Sequence, residues 1–171
     1  IQWKFNYGGV DAEDIVALAR TTTGAYVFTG FTNSYDVNGT ASAVFVGLVQ
    51  ENGTLTFAES LGGMDSDRGN GIVATSDGGI VVTVCLDCFG QSELYLAKLN
   101  ATGGVEWAYN NYNPGYEAEG FSVIQTSDGG FAVTGTIDQG SGKLLFLLKT
   151  DSAGNELWQQ VFGGAEEDAG Y

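Results

Sequence analysis

The sequence Thr-Ser-Asp-Gly-Gly-Ile-Val-Val-Thr-Val at residues 75–84 decides the fold class, because it returns elsewhere in the chain. Residues 126–135 read Thr-Ser-Asp-Gly-Gly-Phe-Ala-Val-Thr-Gly, and residues 21–30 read Thr-Thr-Thr-Gly-Ala-Tyr-Val-Phe-Thr-Gly. The Asp-Gly step is a hairpin signal, and strand-forming residues follow it. Equivalent glycines stand at positions 24, 78 and 129, which are 54 and 51 residues apart. The chain therefore contains an internal repeat of about 50 residues, which is the length of a propeller blade.

Each repeat predicts four β-strands. The first precedes the Asp-Gly turn and the second follows it. The third is a mostly apolar run with little alternation, typical of a strand covered on both faces. The fourth is centred on Phe57, Trp107 or Trp158. The clearest predicted strands are 72–75 and 122–126 for the first, 80–84 and 131–136 for the second, and 43–49, 94–99 and 144–149 for the third. No helical period appears, and frequent glycines disfavour helices.

A large aromatic residue marks each fourth strand. Trp3, Phe57 and Trp158 each stand five residues before a glycine pair, and Trp107 keeps the same phase without the pair. Stacked four-stranded sheets bury such a strand against the next sheet, so we expect these rings to pack in the core rather than contact a ligand.

The predicted fold is therefore all-β: a β-propeller or propeller-like array of four-stranded antiparallel blades. We expect a single repeat domain over residues 1–171, with repeats at about 10–60, 61–111 and 112–162 and a partial strand at each end. Closed propellers have about four to eight blades, so three repeats do not close a ring. Either identical copies complete a ring or extend into a filament, or the chain is part of a longer array.

Two further motifs accompany the Ser-Asp-Gly-Gly turn. Residues 96–107 and 147–158 share the pattern Leu-x-Lys-x-(Asn/Asp)-x-x-Gly-x-x-x-Trp, and a glycine pair recurs after the fourth strand. Together they resemble the extracellular SDGGY/KxDxxGxxxW-type β-propeller repeats of microbial surface and secreted proteins. The first copy departs from the pattern, with Thr23 in place of the turn aspartate and Leu48 in place of the lysine. The resemblance implies an adhesive or scaffolding role and carries over no catalytic residue.

Composition excludes several classes of function. The chain has 21 acidic and 6 basic residues, for a net charge of −15, which disfavours nucleic-acid binding. No stretch approaches the roughly 20 apolar residues of a membrane-spanning helix, so we expect no membrane insertion. The chain has no histidine, which rules out Ser-His and Cys-His nucleophile pairs. We expect no enzyme and no catalytic residues; the carboxylates that a glycosidase would need are explained by the repeat.

Two features indicate a secreted or cell-surface protein. The only cysteines, Cys85 and Cys88, follow a predicted strand, and we expect a short disulfide; the alternative is a reduced, inert pair. Three Asn-x-Thr sequons predict N-linked glycosylation at Asn38, Asn52 and Asn100.

Carboxylates recur after each glycine pair. Asp65 and Asp67, with Asn70 nearby, are the best candidates for a calcium site, because calcium takes six to eight oxygen ligands. No other cofactor is expected. The alternative interpretation is that these acids cap turns or pair with Arg20 and Arg68.

The function most consistent with the sequence is an extracellular structural or adhesive module that partners identical copies or neighbouring repeats. The rival hypothesis is a lectin-like propeller that binds glycans. Its candidate ligand residues are Tyr109, Tyr112 and Tyr116, where the middle repeat departs from its pattern.

Overall fold

The structure is a computed structural model that describes residues 9, 11–34, 42–62, 66–88, 92–109, 115–140 and 142–163. Within these ranges the chain forms β-strands without any helix, so no helix there is long and apolar enough to cross a membrane. The predicted all-β class is confirmed. The twelve strands are β1 (Glu13–Arg20), β2 (Tyr26–Thr32), β3 (Ala43–Val49), β4 (Leu55–Leu61), β5 (Arg68–Ala74), β6 (Ile80–Leu86), β7 (Glu93–Leu99), β8 (Val105–Tyr109), β9 (Glu117–Gln125), β10 (Phe131–Asp138), β11 (Lys143–Thr150) and β12 (Glu156–Phe162).

The strands form three antiparallel sheets of four, each built from consecutive strands. Sheet 1 is β1-β2-β3-β4, sheet 2 is β5-β6-β7-β8 and sheet 3 is β9-β10-β11-β12. Because the strands alternate in direction, the tight turns of each sheet lie at one end, which we call the turn end. The longer loops and the connections between sheets lie at the opposite end, the loop end.

Apolar layers between neighbouring sheets form the core. Val46 of sheet 1 and Val82 of sheet 2 belong to one layer, while Leu96 of sheet 2 and Phe131 of sheet 3 belong to the next, and all four are fully buried. Strand β3 is buried along its whole length, as its continuous apolar run predicts. Each such side chain contributes about 1.5–3 kcal/mol by leaving water.

The first strands of neighbouring sheets pack against each other, β1 against β5 and β5 against β9. These strands are longer than the sequence predicts, since β5 begins at Arg68 and β9 at Glu117. Gly69 and Gly71 lie within β5, where they allow a β-bulge and let the neighbouring sheet approach the backbone closely. A Cβ at Gly69 would lie 1.9 Å from Thr29 Oγ1 on the neighbouring sheet. A larger residue would push the two sheets apart.

The fourth strands make a second repeated contact between sheets. The ring of Phe57 lies on Gly103 of the next sheet, where a Cβ would come within 2.9 Å of the ring. Trp107 lies in the same way on Gly154, with a corresponding distance of 2.8 Å. Both glycines have φ near +90°, a conformation that glycine adopts without strain. The prediction of buried rings is wrong for Trp158, which is 44% exposed because no sheet follows β12 in the described part of the chain.

Candidate functional site at the loop end

Five of the ten site residues predicted from the sequence lie at the loop end. Asn38, Asp65 and Tyr112 lie outside the described residues. The sequons at Asn52 and Asn100 lie in turns at the opposite, turn end. The remaining predicted residues, all at the loop end, are Asp67, Cys85, Cys88, Tyr109 and Tyr116.

Cys85 and Cys88 are joined as a disulfide across the start of the β6–β7 loop, with their Cα atoms 5.5 Å apart. Asp87 between them has φ of 48°, the left-handed conformation of a tight turn. The amide of Cys88 donates a hydrogen bond of 2.9 Å to the carbonyl of Ser66, in the connection between sheets 1 and 2. The disulfide therefore closes a loop that is anchored to the junction of two sheets.

Asp67 is a buried carboxylate at that junction, with 3% of its surface exposed. Its Oδ1 accepts a 3.2 Å hydrogen bond from the amide of Asp87. Its own amide donates to the carbonyl of Ser42, and the Ser42 hydroxyl donates back to the carbonyl of Asp67. Asp67 thus ties the long loop of sheet 1 to the disulfide loop of sheet 2.

The calcium hypothesis stays a prediction. Within the described ranges no three His, Cys, Asp or Glu side chains converge as a metal-binding group, and Asp65 falls outside those ranges. Asp67 is engaged by the loops around it.

Glu13 shows how a recurring carboxylate organises a loop. Glu13 and Asp67 are equivalent positions of the first and second repeats, 54 residues apart. The carboxylate of Glu13 accepts hydrogen bonds from the hydroxyls of Ser34 and Thr32 and from the amide of Gly9. The bond from Ser34, followed by that from Gly9, holds the pKa of Glu13 below its usual value. This is the turn-capping role that the sequence offered as the alternative to calcium.

Both arginines have a partner in the described part of the chain. Arg20 pairs with Glu51 at 3.5 Å on an exposed surface. The guanidinium carbon of Arg68 lies 5.8 Å from the ring centroid of Phe31. An exposed ion pair of this kind contributes about 0–1 kcal/mol.

A small polar cleft opens between sheets 2 and 3 at the loop end. Its volume is about 230 Å³ including the open mouth. Two cross-sheet hydrogen bonds fix its walls: Ala118 N donates to Ser92 O at 2.8 Å, and Asn70 Nδ2 donates to Glu119 Oε1 at 3.0 Å. The lining residues are Ser92, Glu117, Ala118, Glu119, Thr136, Asp138 and Lys143.

The two described tyrosines of the predicted ligand site have different surroundings. Tyr116 is 48% exposed and directly precedes Glu117 at the cleft. Tyr109 ends β8, and its ring centroid lies 5.7 Å from that of Trp107. No ring contact between Tyr109 and Tyr116 is found in the described ranges.

The two described sequons have similar turn geometry. Oδ1 of Asn52 accepts from the amide of Thr54 at 3.0 Å, and Oδ1 of Asn100 accepts from the amide of Thr102 at 2.9 Å. These bonds use the amide oxygen, whereas a glycan is attached to the nitrogen. Asn52 is exposed and Asn100 is half-buried. Glycosylation at either position stays a prediction.

Sequence reasoning missed a buried lysine at the turn end. The side chain of Lys98 is 7% exposed, and its Nζ lies 2.8 Å from Asp77 Oδ2 and 2.5 Å from Glu106 Oε2. The hydrogen bond from Lys98, followed by that from Thr75, lowers the pKa of Asp77 to about 2. Burial acts to lower the pKa of Lys98, but the bonds to Asp77 and Glu106 outweigh it and raise the pKa above 10.5. The sequence did contain a signal for this ion pair, because Lys98 is the lysine of the repeated Leu-x-Lys pattern.

Comparisons with known proteins give no family and no function. No protein-family model matches the chain, and no curated protein matches it. A solved structure of a protein of unknown function from Bacteroides caccae is similar, with 12% sequence identity and a TM-score of 0.44. The similarity covers 87% of this chain and 82% of that one. At this level it carries no argument about fold or function.

Proposed function

We propose that this chain is an extracellular structural and adhesive module, and that its three sheets are consecutive blades of a β-propeller or propeller-like array. One observation carries the proposal: the same aromatic-on-glycine contact stacks sheet 1 on sheet 2 through Phe57 and sheet 2 on sheet 3 through Trp107. Consecutive blades of a propeller stack through the same contact at each step, and their first strands lie side by side. Strands β1, β5 and β9 are neighbours in this way. The resemblance to extracellular propeller repeats supports the same assignment.

The ionisable groups favour a structural role over catalysis. A general acid or base works best with a pKa near the operating pH. Three turn carboxylates instead have pKa values held down by hydrogen bonds within the fold. They are Asp77, Asp128 and Asp151, bonded chiefly by Lys98, Thr126 and Asn155 in that order.

The experiment that tests the proposal is a bead-adhesion assay on the chain produced through a secretory route. Beads coated with the chain at several densities are mixed with each other and with uncoated beads. We expect coated beads to aggregate with one another as density rises, because many weak contacts act together. The coated beads are also mixed with glycan-bearing cells. An adhesive role would be overturned if the beads neither aggregate nor bind these cells at any density.

A second candidate function, glycan binding, is favoured by Tyr116 beside the polar cleft. An exposed aromatic ring next to carboxylate and hydroxyl groups is suited to a sugar, which offers both apolar and hydrogen-bonding surfaces. The test is a glycan array with Tyr116→Ala and the matched control Tyr109→Ala. Loss of a defined glycan signal with the first variant alone would establish the lectin-like function, and an array without signal would exclude it for the glycans displayed.

A further inference from the structure

The loop between β6 and β7 contains a strained residue. Asp87 has a φ of 48°, and it is the single non-glycine residue with positive φ in the described part of the chain. The left-handed region costs a residue with a side chain free energy, and such residues cluster at switch regions of proteins. Asp87 lies between the bonded cysteines Cys85 and Cys88. The disulfide therefore encloses a backbone conformation that a free loop populates only in part.

A buried carboxylate holds the same residue from the neighbouring segment. Asp67 is 3% exposed, and its Oδ1 accepts the 3.2 Å hydrogen bond from the amide of Asp87. Its Oδ2 lies so close to Gly62 that a Cβ there would collide with it. The next amide along the loop, that of Cys88, donates at 2.9 Å to the carbonyl of Ser66. Two consecutive amides of the disulfide loop thus bind the junction between sheets 1 and 2.

The equivalent loops of sheets 1 and 3 close without a disulfide. Ser34 stands at the position of Cys88 in the first repeat, 54 residues earlier, and its hydroxyl donates to the carboxylate of Glu13. In sheet 3, Oδ1 of Asp138 accepts a 2.7 Å hydrogen bond from the amide of Gly140. Hydrogen bonds alone therefore close this loop in two of the three sheets. The covalent bond in sheet 2 adds a dependence on redox conditions that the fold itself does not require.

We propose that the Cys85–Cys88 disulfide is a redox latch on the β6–β7 loop, closed when it is oxidised and open when a dithiol reduces it. Asp67 is the positioning residue of the closed state, because its carboxylate holds the strained amide of Asp87. Opening would release the two loop amides and uncover this carboxylate at the loop end. The latch goes beyond the proposed adhesive function and does not depend on it.

The unequal exposure of the two cysteines sets the course of the reaction. Cys85 is fully buried and Cys88 is half-buried, so an incoming thiolate reaches the sulfur of Cys88. The dithiol forms a mixed disulfide with Cys88, and the sulfur of Cys85 leaves as a thiolate. The second thiol of the dithiol then displaces Cys88 and closes a cyclic disulfide. Two electrons pass to the protein, and the two protons that the dithiol loses end on the two cysteine sulfurs.

The experiment is hydrogen exchange, resolved by NMR, on the full chain before and after reduction with dithiothreitol in the absence of denaturant. Thiol alkylation measures the extent of reduction, and circular dichroism checks that the chain stays folded. Exchange at the amides of Asp87 and Cys88 should quicken at least about tenfold on reduction and return to its first value on reoxidation. The amide of Asn33, which donates to Ala12 at the equivalent position of sheet 1, is the matched control and should not change.

Asp67→Ala separates the part of the carboxylate from that of the disulfide. Ala118 holds the equivalent position of sheet 3, where its amide donates to Ser92 as that of Asp67 does to Ser42, so the fold accepts alanine here. In the oxidised variant, exchange should be faster at Asp87 and stay slow at Cys88 until dithiothreitol is added. Exchange at Asp87 equal to that of the wild-type chain would overturn the positioning role.

Three results would overturn the latch itself. They are a disulfide that dithiothreitol reduces only in denaturant, a reduction that leaves exchange at Asp87 and Cys88 unchanged, and a reduction that quickens exchange evenly over all three sheets. The first two would leave a bond without any switching role, and the third would make it a staple of the whole fold. A chain with both Cys85→Ser and Cys88→Ser should not respond to dithiothreitol, and a response would assign the effect to the reagent instead.

Discussion

Three residues of the first repeat differ from their counterparts in the second repeat, and the chemistry of the three differences is linked. In sheet 2, Asp77 and Lys98 form an ion pair, and Gly79 leaves room for it, since a Cβ there would lie 2.9 Å from Lys98 Nζ. In sheet 1 the corresponding residues are Thr23, Ala25 and Leu48. Ala25 and Leu48 lie together in the apolar layer between sheets 1 and 2, so an apolar contact replaces the ion pair.

This coupling predicts the outcome of a double-mutant cycle on Gly79→Ala and Lys98→Leu. Gly79→Ala alone should destabilise the chain by about 2 kcal/mol, because the added Cβ also meets the backbone carbonyl of Leu99 at 2.5 Å. The double variant recreates the Ala25–Leu48 pair and should recover about 1 kcal/mol of the summed loss. Urea denaturation measures all four unfolding free energies; additivity within about 0.3 kcal/mol would contradict the coupling.

The same ion pair gives stability a defined dependence on acid. The pKa of Asp77 falls from 3.8 to about 2 on folding, so its contribution is complete above pH 3.8 and is lost as the pH falls toward 2. Because the carboxylate is mostly exposed, we expect about 1 kcal/mol at pH 6 rather than the full value of the shift. Asp77→Asn serves as the reference. The difference in unfolding free energy between the two proteins should shrink over this acid range, and a constant difference would show that the ion pair contributes nothing.

At the scale of elements, the sequence predicts the second and third strands well and the first strands less well. An apolar run such as β3 or a hairpin beside Asp77 is encoded locally. The extension of β5 back to Arg68 is not, because Gly69 and Gly71 resemble a loop and are strand residues only when a neighbouring sheet packs against them. The tertiary contact decides the assignment there.

The candidate site was predictable to a similar degree. The cysteine spacing indicates the disulfide, because four residues that follow a strand make a tight loop. The role of Asp67 was not predictable, since its partners Ser42 and Asp87 come from the loops of two different sheets.

Loss of the disulfide should loosen the β6–β7 loop more than it lowers the unfolding free energy of the whole chain. A loop of four residues restricts the unfolded chain only slightly, and the loop-entropy relation gives about 2 kcal/mol. We expect the variant with both Cys85→Ser and Cys88→Ser to lose no more than this amount. Hydrogen exchange should quicken at the amides of Asp87 and Cys88, which donate to Asp67 and Ser66. Exchange that spreads evenly over sheets 1 and 3 would contradict a local role.

At the scale of the whole molecule, the same repeat position holds an aromatic residue in each fourth strand, and its environment differs from sheet to sheet. Phe57 is buried, Trp107 is half-buried on Gly154 and beside Phe131 at 5.9 Å between ring centroids, and Trp158 is exposed. The two tryptophans hold the same position in the repeated Leu-x-Lys-x-(Asn/Asp)-x-x-Gly-x-x-x-Trp pattern. The difference lies entirely in whether a further sheet is present, and this is why the repeat alone predicted burial for all of them.

This comparison yields a matched pair of substitutions at equivalent positions of β8 and β12. Trp107→Ala should destabilise the chain by about 3 kcal/mol, because it leaves a void between sheets 2 and 3. Trp158→Ala should cost about 1 kcal/mol less than Trp107→Ala, because 44% of the surface of Trp158 is already in water. Strand propensity changes equally in both variants and cancels in the comparison. Equal losses in thermal and urea unfolding would mean that Trp158 is packed as closely as Trp107, and would contradict the assignment of its exposure to the absence of a further sheet.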